Sequence, residues 1–170
     1  MGLILVLRYA WMKEVFLMRH INILVAEDQE DKSNAIVSVL RDKYPDAHFE
    51  YSVSYSGTAK KIKSKQFDII ILDMSMPNFD PKPGGKPSLK ALAGKDIMTK
   101  MQYRKVSVPV IVVTQFDIFG RHSDAVSIDK LSVDLKKDFP EIFRGCVYYN
   151  TQSKSWEQEL LKVTSEIING

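Results

Sequence analysis

Only one cysteine, Cys146, stands in the whole chain, so there is no internal disulfide framework, and a reducing compartment suits the sequence. Long apolar runs are also missing. The N-terminal stretch MGLILVLRYAWMKEVFLMRH begins apolar, but Arg8 cuts it well short of a membrane span. It lacks the basic leader of a secretory signal, and Val6 stands where a myristoylation site requires Ser or Thr. A strong charge of either sign is absent too. The formal net charge is +3, too small to argue for nucleic acid. With 170 residues the chain has room for one domain and its core, not for two ordinary ones. These absences lead us to expect a cytoplasmic protein with no membrane contact and no direct contact with nucleic acid.

What charge there is lies unevenly. From Lys82 to Lys105 seven basic residues (Lys82, Lys86, Lys90, Lys95, Lys100, Arg104, Lys105) face one acid, Asp96, a local balance of +6. Two readings stand: a solvated face, or a surface that recruits an acidic partner. Residues 1–20 also carry two readings. Leu3, Leu7, Trp11, Val15 and Met18 could line one helical face. Alternatively the working protein lacks the stretch, since Met12 and Met18 could both start translation.

From residue 21 onward, strand and helix patterns alternate. INILVAED (21–28) is a buried strand ending in two acids, and Ile36, Val39, Leu40 and Tyr44 then fall at helical spacing before Pro45. Phe49, Tyr51, Val53 and Tyr55 alternate as in a strand with one wet face, near a sheet edge. A short basic helix (56–66) leads to FDIIILD, and Pro81, Pro83, Gly84, Gly85 and Pro87 then forbid a regular element. A helix over 95–105 precedes the buried strand VPVIVVTQ (108–115). Ile128, Leu131 and Leu135 mark the next helix and GCVYYN (145–150) a fifth strand. The final helix has Trp156, Leu160, Val163 and Ile167 as its stripe, with Ser155 and Gln158 at capping-box spacing. Five strands, each followed by a helix, predict an α/β fold: one doubly wound parallel sheet with helices on both faces.

Ligands of such sheets sit beyond the carboxyl ends of the strands. The residues at those ends are Glu27 and Asp28 after strand one, Asp73 after strand three, Thr114 at the end of strand four, and Lys154 after strand five. Three carboxylates in one crevice repel each other, and a hard divalent cation removes the conflict; oxygen ligands suit Mg²⁺. An aspartate beside the metal can attack phosphorus and form an aspartyl phosphate, whose oxygens call for Mg²⁺, a lysine and a hydroxyl. Each residue also has a plainer reading. Asp28 could cap the first helix, Thr114 could be a buried hydroxyl bonded to backbone, and Lys154 could be a solvated charge.

Over residues 21–168 the chain resembles the receiver domain of two-component response regulators. The resemblance rests on the acidic pair Glu27-Asp28, LDMSMP after strand three, the threonine closing an apolar strand four, and a lysine before the last helix. It implies the strand order 2-1-3-4-5 and a phosphoacceptor role for Asp73. It also implies Mg²⁺ held by Glu27, Asp28, Asp73 and the backbone carbonyl of Ser75. Thr114 and Lys154 would then meet the phosphoryl oxygens, and Asp80 matches the family's loop aspartate. The implied partner is a histidine kinase or phosphotransfer protein. The implied role is a stand-alone receiver, with no output domain, that signals through its surface and is no enzyme beyond phosphoryl acceptance and self-dephosphorylation.

The sequence departs from the family in three places. Lys154 comes late in YYNTQSKSW, which leaves Tyr148 and Tyr149 both open as the aromatic of strand five. The loop after Asp73 is longer by about a dozen residues, at about 81–93, and residues 116–144 form a long connection between strands four and five. The displaced lysine keeps a second reading open, a phosphorylation-independent pseudo-receiver that acts as an interaction module. A phosphatase of the haloacid dehalogenase type is disfavoured, because Ser75 stands where its second acid belongs.

Overall fold

The computed structural model describes residues 20–86, 88–115, 118–119 and 126–170. The expected extension 1–20, apart from His20, lies outside the described residues, as does part of the 116–144 connection. Five parallel strands form the sheet: β1 (Asn22–Ala26), β2 (His48–Ser52), β3 (Ile69–Leu72), β4 (Val110–Thr114) and β5 (Phe143–Tyr148). Their spatial order is β2-β1-β3-β4-β5, the order that the resemblance implied. β3 and β4 are buried at every residue, as their unbroken apolar runs require when helices cover both faces. On edge strand β2, by contrast, Phe49 is buried and Tyr51 exposed.

The helices are α1 (Glu30–Lys43), α2 (Tyr55–Ser64), α3 (Ala93–Tyr103), α4 (Ile128–Asp138) and α5 (Ser155–Asn169). Successive residues of a strand point to opposite faces, so each strand feeds two cores. Ile23, Val25, Ile69, Ile71, Ile111 and Val113 pack with Ile36, Val37 and Leu40 of α1 and with Trp156 and Leu160 of α5. Leu24, Ala26, Ile70, Leu72, Val110 and Val112 pack with Ile97, Met98 and Met101 of α3 and Leu131 and Leu135 of α4. Each such aliphatic side chain contributes about 1.5–3 kcal/mol when fully buried.

Three local expectations are corrected. α3 starts at Ala93, two residues before the helical spacing suggested, because Gly94 lets the chain turn close to the end of β3. The proline-rich loop is not wholly irregular. Met76–Pro77 pairs antiparallel with Leu89–Lys90, since Pro81 and Pro83 lie outside the paired residues. Within that turn Gly84 takes φ +72°, and the Gly85 amide donates to the Lys82 carbonyl at 3.0 Å. Finally, Ser155 opens α5 instead of capping it, and its amide donates to Ser153 Oγ at 3.1 Å.

Candidate functional site

Register decides where the acids meet. Ala26 of β1 pairs with Leu72 of β3, so Glu27 and Asp73 are each the first residue past the same rung of the ladder. Leu72 in turn pairs with Val112, which brings Thr114 to the same end of the sheet. The Asp73 amide donates to the Ala26 carbonyl at 2.9 Å and continues the ladder one step beyond the strands. As a result Glu27, Asp28 and Asp73 each present an oxygen within 4.8 Å of the others. Glu27 is 4% exposed, Asp73 2% and Thr114 0%, while Asp28 is only partly covered.

Asp28 is not a helix cap. The N-cap of α1 is Gln29, which makes no side-chain capping bond, and the Gln29 amide donates to Glu27 Oε1 at 2.9 Å. Glu27 Oε2 has no aligned hydrogen-bond donor, although an ammonium stands near it. Three carboxylates whose oxygens converge in one crevice are the donor set a hard cation takes, so these residues fit Mg²⁺. Burial pushes Glu27 up to about 7; the neighbouring Asp73 pushes the same way and Lys32 opposes. Burial also raises Asp73, again against the pull of Lys32.

That ammonium belongs to a residue the sequence reading did not single out. Lys32 of α1 is 2% exposed, with Nζ 2.5 Å from Glu27 Oε2 and 3.0 Å from Asp73 Oδ1. The available signal was its spacing: Lys32, Ile36 and Leu40 fall at i, i+4 and i+8, so the lysine lies on the buried stripe of its helix. Lys154, by contrast, is the exposed N-cap of α5 and makes no ion pair among the described residues. Asp80 is not part of the carboxylate group either; it accepts from Ser54 Oγ at 2.6 Å, at the N-terminus of α2.

The remaining candidates take separate places. Ser75 is buried just past Asp73. The Tyr149 amide donates to the Thr114 carbonyl at 2.8 Å, and its ring packs on Trp156 with centroids 4.8 Å apart. Tyr148 is 39% exposed. Of the basic stretch, Lys90 pairs with Asp96 and Lys95 with Asp138, while Lys82 and Lys86 are exposed.

A doubly wound sheet of this order, with acids past the adjacent inner strands β1 and β3, defines a class: receiver-like α/β proteins. Comparison with known proteins agrees. The chain is 36% identical over 148 residues to the Detocs response regulatory protein DtcB of Enterobacter cloacae (strain JD6301), covering 85% of this chain and 99% of that one. It is 24% identical over 136 residues to the uncharacterized protein y4jR of Sinorhizobium fredii, covering 79% of this chain and 90% of that one. A CheY-like response regulator receiver domain protein from Methanospirillum hungatei JF-1 superposes with a TM-score of 0.58 at 15% identity, over 88% of this chain and 94% of that one. The response regulator TrrA of Thermotoga maritima, solved in complex with Mg²⁺-BeF, superposes with a TM-score of 0.53 at 15% identity, over 84% and 98%. No family model matches the chain. The chain belongs to the response regulators of two-component signalling, as a receiver domain.

Proposed function

We propose that this receiver accepts a phosphoryl group on Asp73 from a histidine kinase or phosphotransfer protein and signals by binding a further protein. The observation that carries the reading is the meeting of Glu27, Asp28 and Asp73 oxygens within 4.8 Å at the end of β1 and β3. The Mg²⁺ complex of TrrA, a neighbour in fold, supports it. Glu27, Asp28, Asp73 and the Ser75 carbonyl would hold Mg²⁺, which supplies charge neutralisation at the transferring group.

The chain's own residues then have defined tasks. An Asp73 carboxylate oxygen attacks phosphorus. The new P–O bond forms as the P–N bond of the donor phosphohistidine breaks, and the departing imidazole nitrogen keeps the electron pair and takes up a proton. Lying at the same end of the sheet, Thr114 offers its hydroxyl to a phosphoryl oxygen. Burial of Asp73 restricts water around the resulting acyl phosphate, which bears on its lifetime.

The test uses acetyl phosphate as donor with Mg²⁺ present. The expected product is one acid-stable, base-labile phosphate, mapped by mass spectrometry to Asp73 and missing in Asp73→Asn. A phosphate on another residue, or one unchanged in Asp73→Asn, would overturn the assignment. One observation favours the pseudo-receiver reading instead: Lys32 already neutralises part of the cluster from within, and Lys154 stands exposed. Beryllofluoride titration with Mg²⁺ separates the two, since a pseudo-receiver would show no saturable binding.

A further inference from the structure

Burying a lysine costs several kcal/mol unless partners compensate, so a buried ammonium points to a task. Lys32 is held on three sides. Glu27 Oε2 lies 2.5 Å and Asp73 Oδ1 3.0 Å from Nζ, and the Tyr149 ring centroid is 5.9 Å away. Lys32 shares the buried stripe of α1 with Ile36 and Leu40, which pack in the core. The ammonium therefore stands beside the carboxylate through which Asp73 would bond to phosphorus.

Charge supports two cations at this site. With all three carboxylates ionised, as metal binding requires, they and one ammonium sum to −2, which a divalent metal brings to zero. Lys32 is thus a second resident cation, compatible with Mg²⁺ yet repelled by it. When Asp73 gains a phosphoryl group, three new oxygens appear next to Nζ, and the ammonium can turn from carboxylate to phosphoryl oxygen without leaving the site.

Resting on the phosphoacceptor reading above, we propose that Lys32, reaching in from the first helix, is the lysine that pairs with the phosphoryl group on Asp73. It takes the task that the resemblance gives to Lys154.

The experiment compares wild type, Lys32→Met and Lys154→Ala in two titrations, Mg²⁺ alone and then beryllofluoride in saturating Mg²⁺, followed by calorimetry and fluorine NMR. In Lys32→Met, Mg²⁺ should bind on the order of tenfold more tightly, because a like charge is gone from its side. Beryllofluoride affinity in the same variant should fall at least on the order of tenfold, whereas Lys154→Ala should match wild type in both titrations. A lysine that merely props the fold would not move the two affinities in opposite directions. Should Lys32→Met fail to fold, nitrogen-15 NMR of the lysine side chains in the wild type decides. Lys32 Nζ should shift on adding beryllofluoride with Mg²⁺, and the Lys154 signal, assigned from its alanine variant, should not. Beryllofluoride affinity unchanged in Lys32→Met but lost in Lys154→Ala overturns this inference and leaves the phosphoacceptor reading intact. Absence of beryllofluoride binding in the wild type overturns both.

Discussion

Gly94 and Asp73 are in close backbone contact: a Cβ at Gly94 would stand 2.9 Å from the Asp73 carbonyl oxygen and 3.2 Å from Met74 Cα. The Gly94 amide donates to the Met74 carbonyl at 3.1 Å, so the first turn of α3 is pinned against the acceptor segment. Gly94→Val should push that segment off the sheet end. The expected loss is about 1–3 kcal/mol of stability, read from urea unfolding, together with weaker Mg²⁺ binding. Unchanged stability and Mg²⁺ affinity would show that the segment yields freely.

Asp28 gives the opposite pattern. It caps nothing, so Asp28→Asn relieves repulsion among three acids without removing a helix-end bond. The urea midpoint should stay the same or rise, while Mg²⁺ affinity measured by calorimetry falls. A destabilised Asp28→Asn protein would mean that the residue serves the fold instead.

Acidity sets a third expectation. Burial on folding pushes Glu27 up to about 7 from its ordinary 4.5, and burial shifts Asp73 upward as well. Groups raised on folding contribute stability that is complete below the unfolded value and lost as pH climbs through the folded one. The metal-free protein should therefore melt at lower temperature as pH rises from about 5 to about 8. Glu50 is shifted downward by its bonds to Lys65 and Lys61, so its own contribution changes only below the ordinary glutamate value of 4.5, outside that window. Mg²⁺ requires ionised carboxylates, so its stabilising effect should grow over the same range. Thermal melts with and without Mg²⁺ across this range check both slopes, and a flat profile would contradict them.

The loop between Pro77 and Leu89 should matter to recognition rather than chemistry. Its base is fixed by the Met76–Pro77 and Leu89–Lys90 pairing, and its tip carries exposed Lys82 and Lys86. Shortening it between Pro81 and Lys86 should leave Mg²⁺ binding and Asp73 phosphorylation unchanged but reduce the partners captured from native lysate. Reversing the charge of Lys82, Lys86 and Lys90 should act similarly. Lost phosphorylation in the shortened protein would mean that the loop helps build the site.

The elements that could be read from the sequence were those whose signal is local. Ile69 to Leu72 and Val110 to Val113 are apolar without interruption, and only strands covered on both faces require that. The acids that follow β1 and β3 then pointed to one shared edge. Other features depended on tertiary contact. Lys32 looked like one more helix charge because its partners stand just past strand ends, one of them 41 residues away. The early start of α3 depends on the space beside Asp73, and the antiparallel pairing near Leu89 on a strand formed before the prolines. Chain order puts Lys154 between β5 and the last helix; its exposure at the head of α5 is a matter of loop path, which order does not encode.

The pairing of Ala26 with Leu72 carries a consequence for how this chain can change over generations. Extra residues between elements cost only loop-closure entropy, which grows slowly with length, so the long stretch after Pro77 is a cheap place for novelty to accumulate. A single residue gained or lost inside Asn22–Ala26 is a different event. It would move Glu27 off its rung and turn the apolar side chains of β1 to the opposite faces. The chain thus separates what drifts from what does not: insertions are free to test new partners around a site whose spacing is held by the ladder.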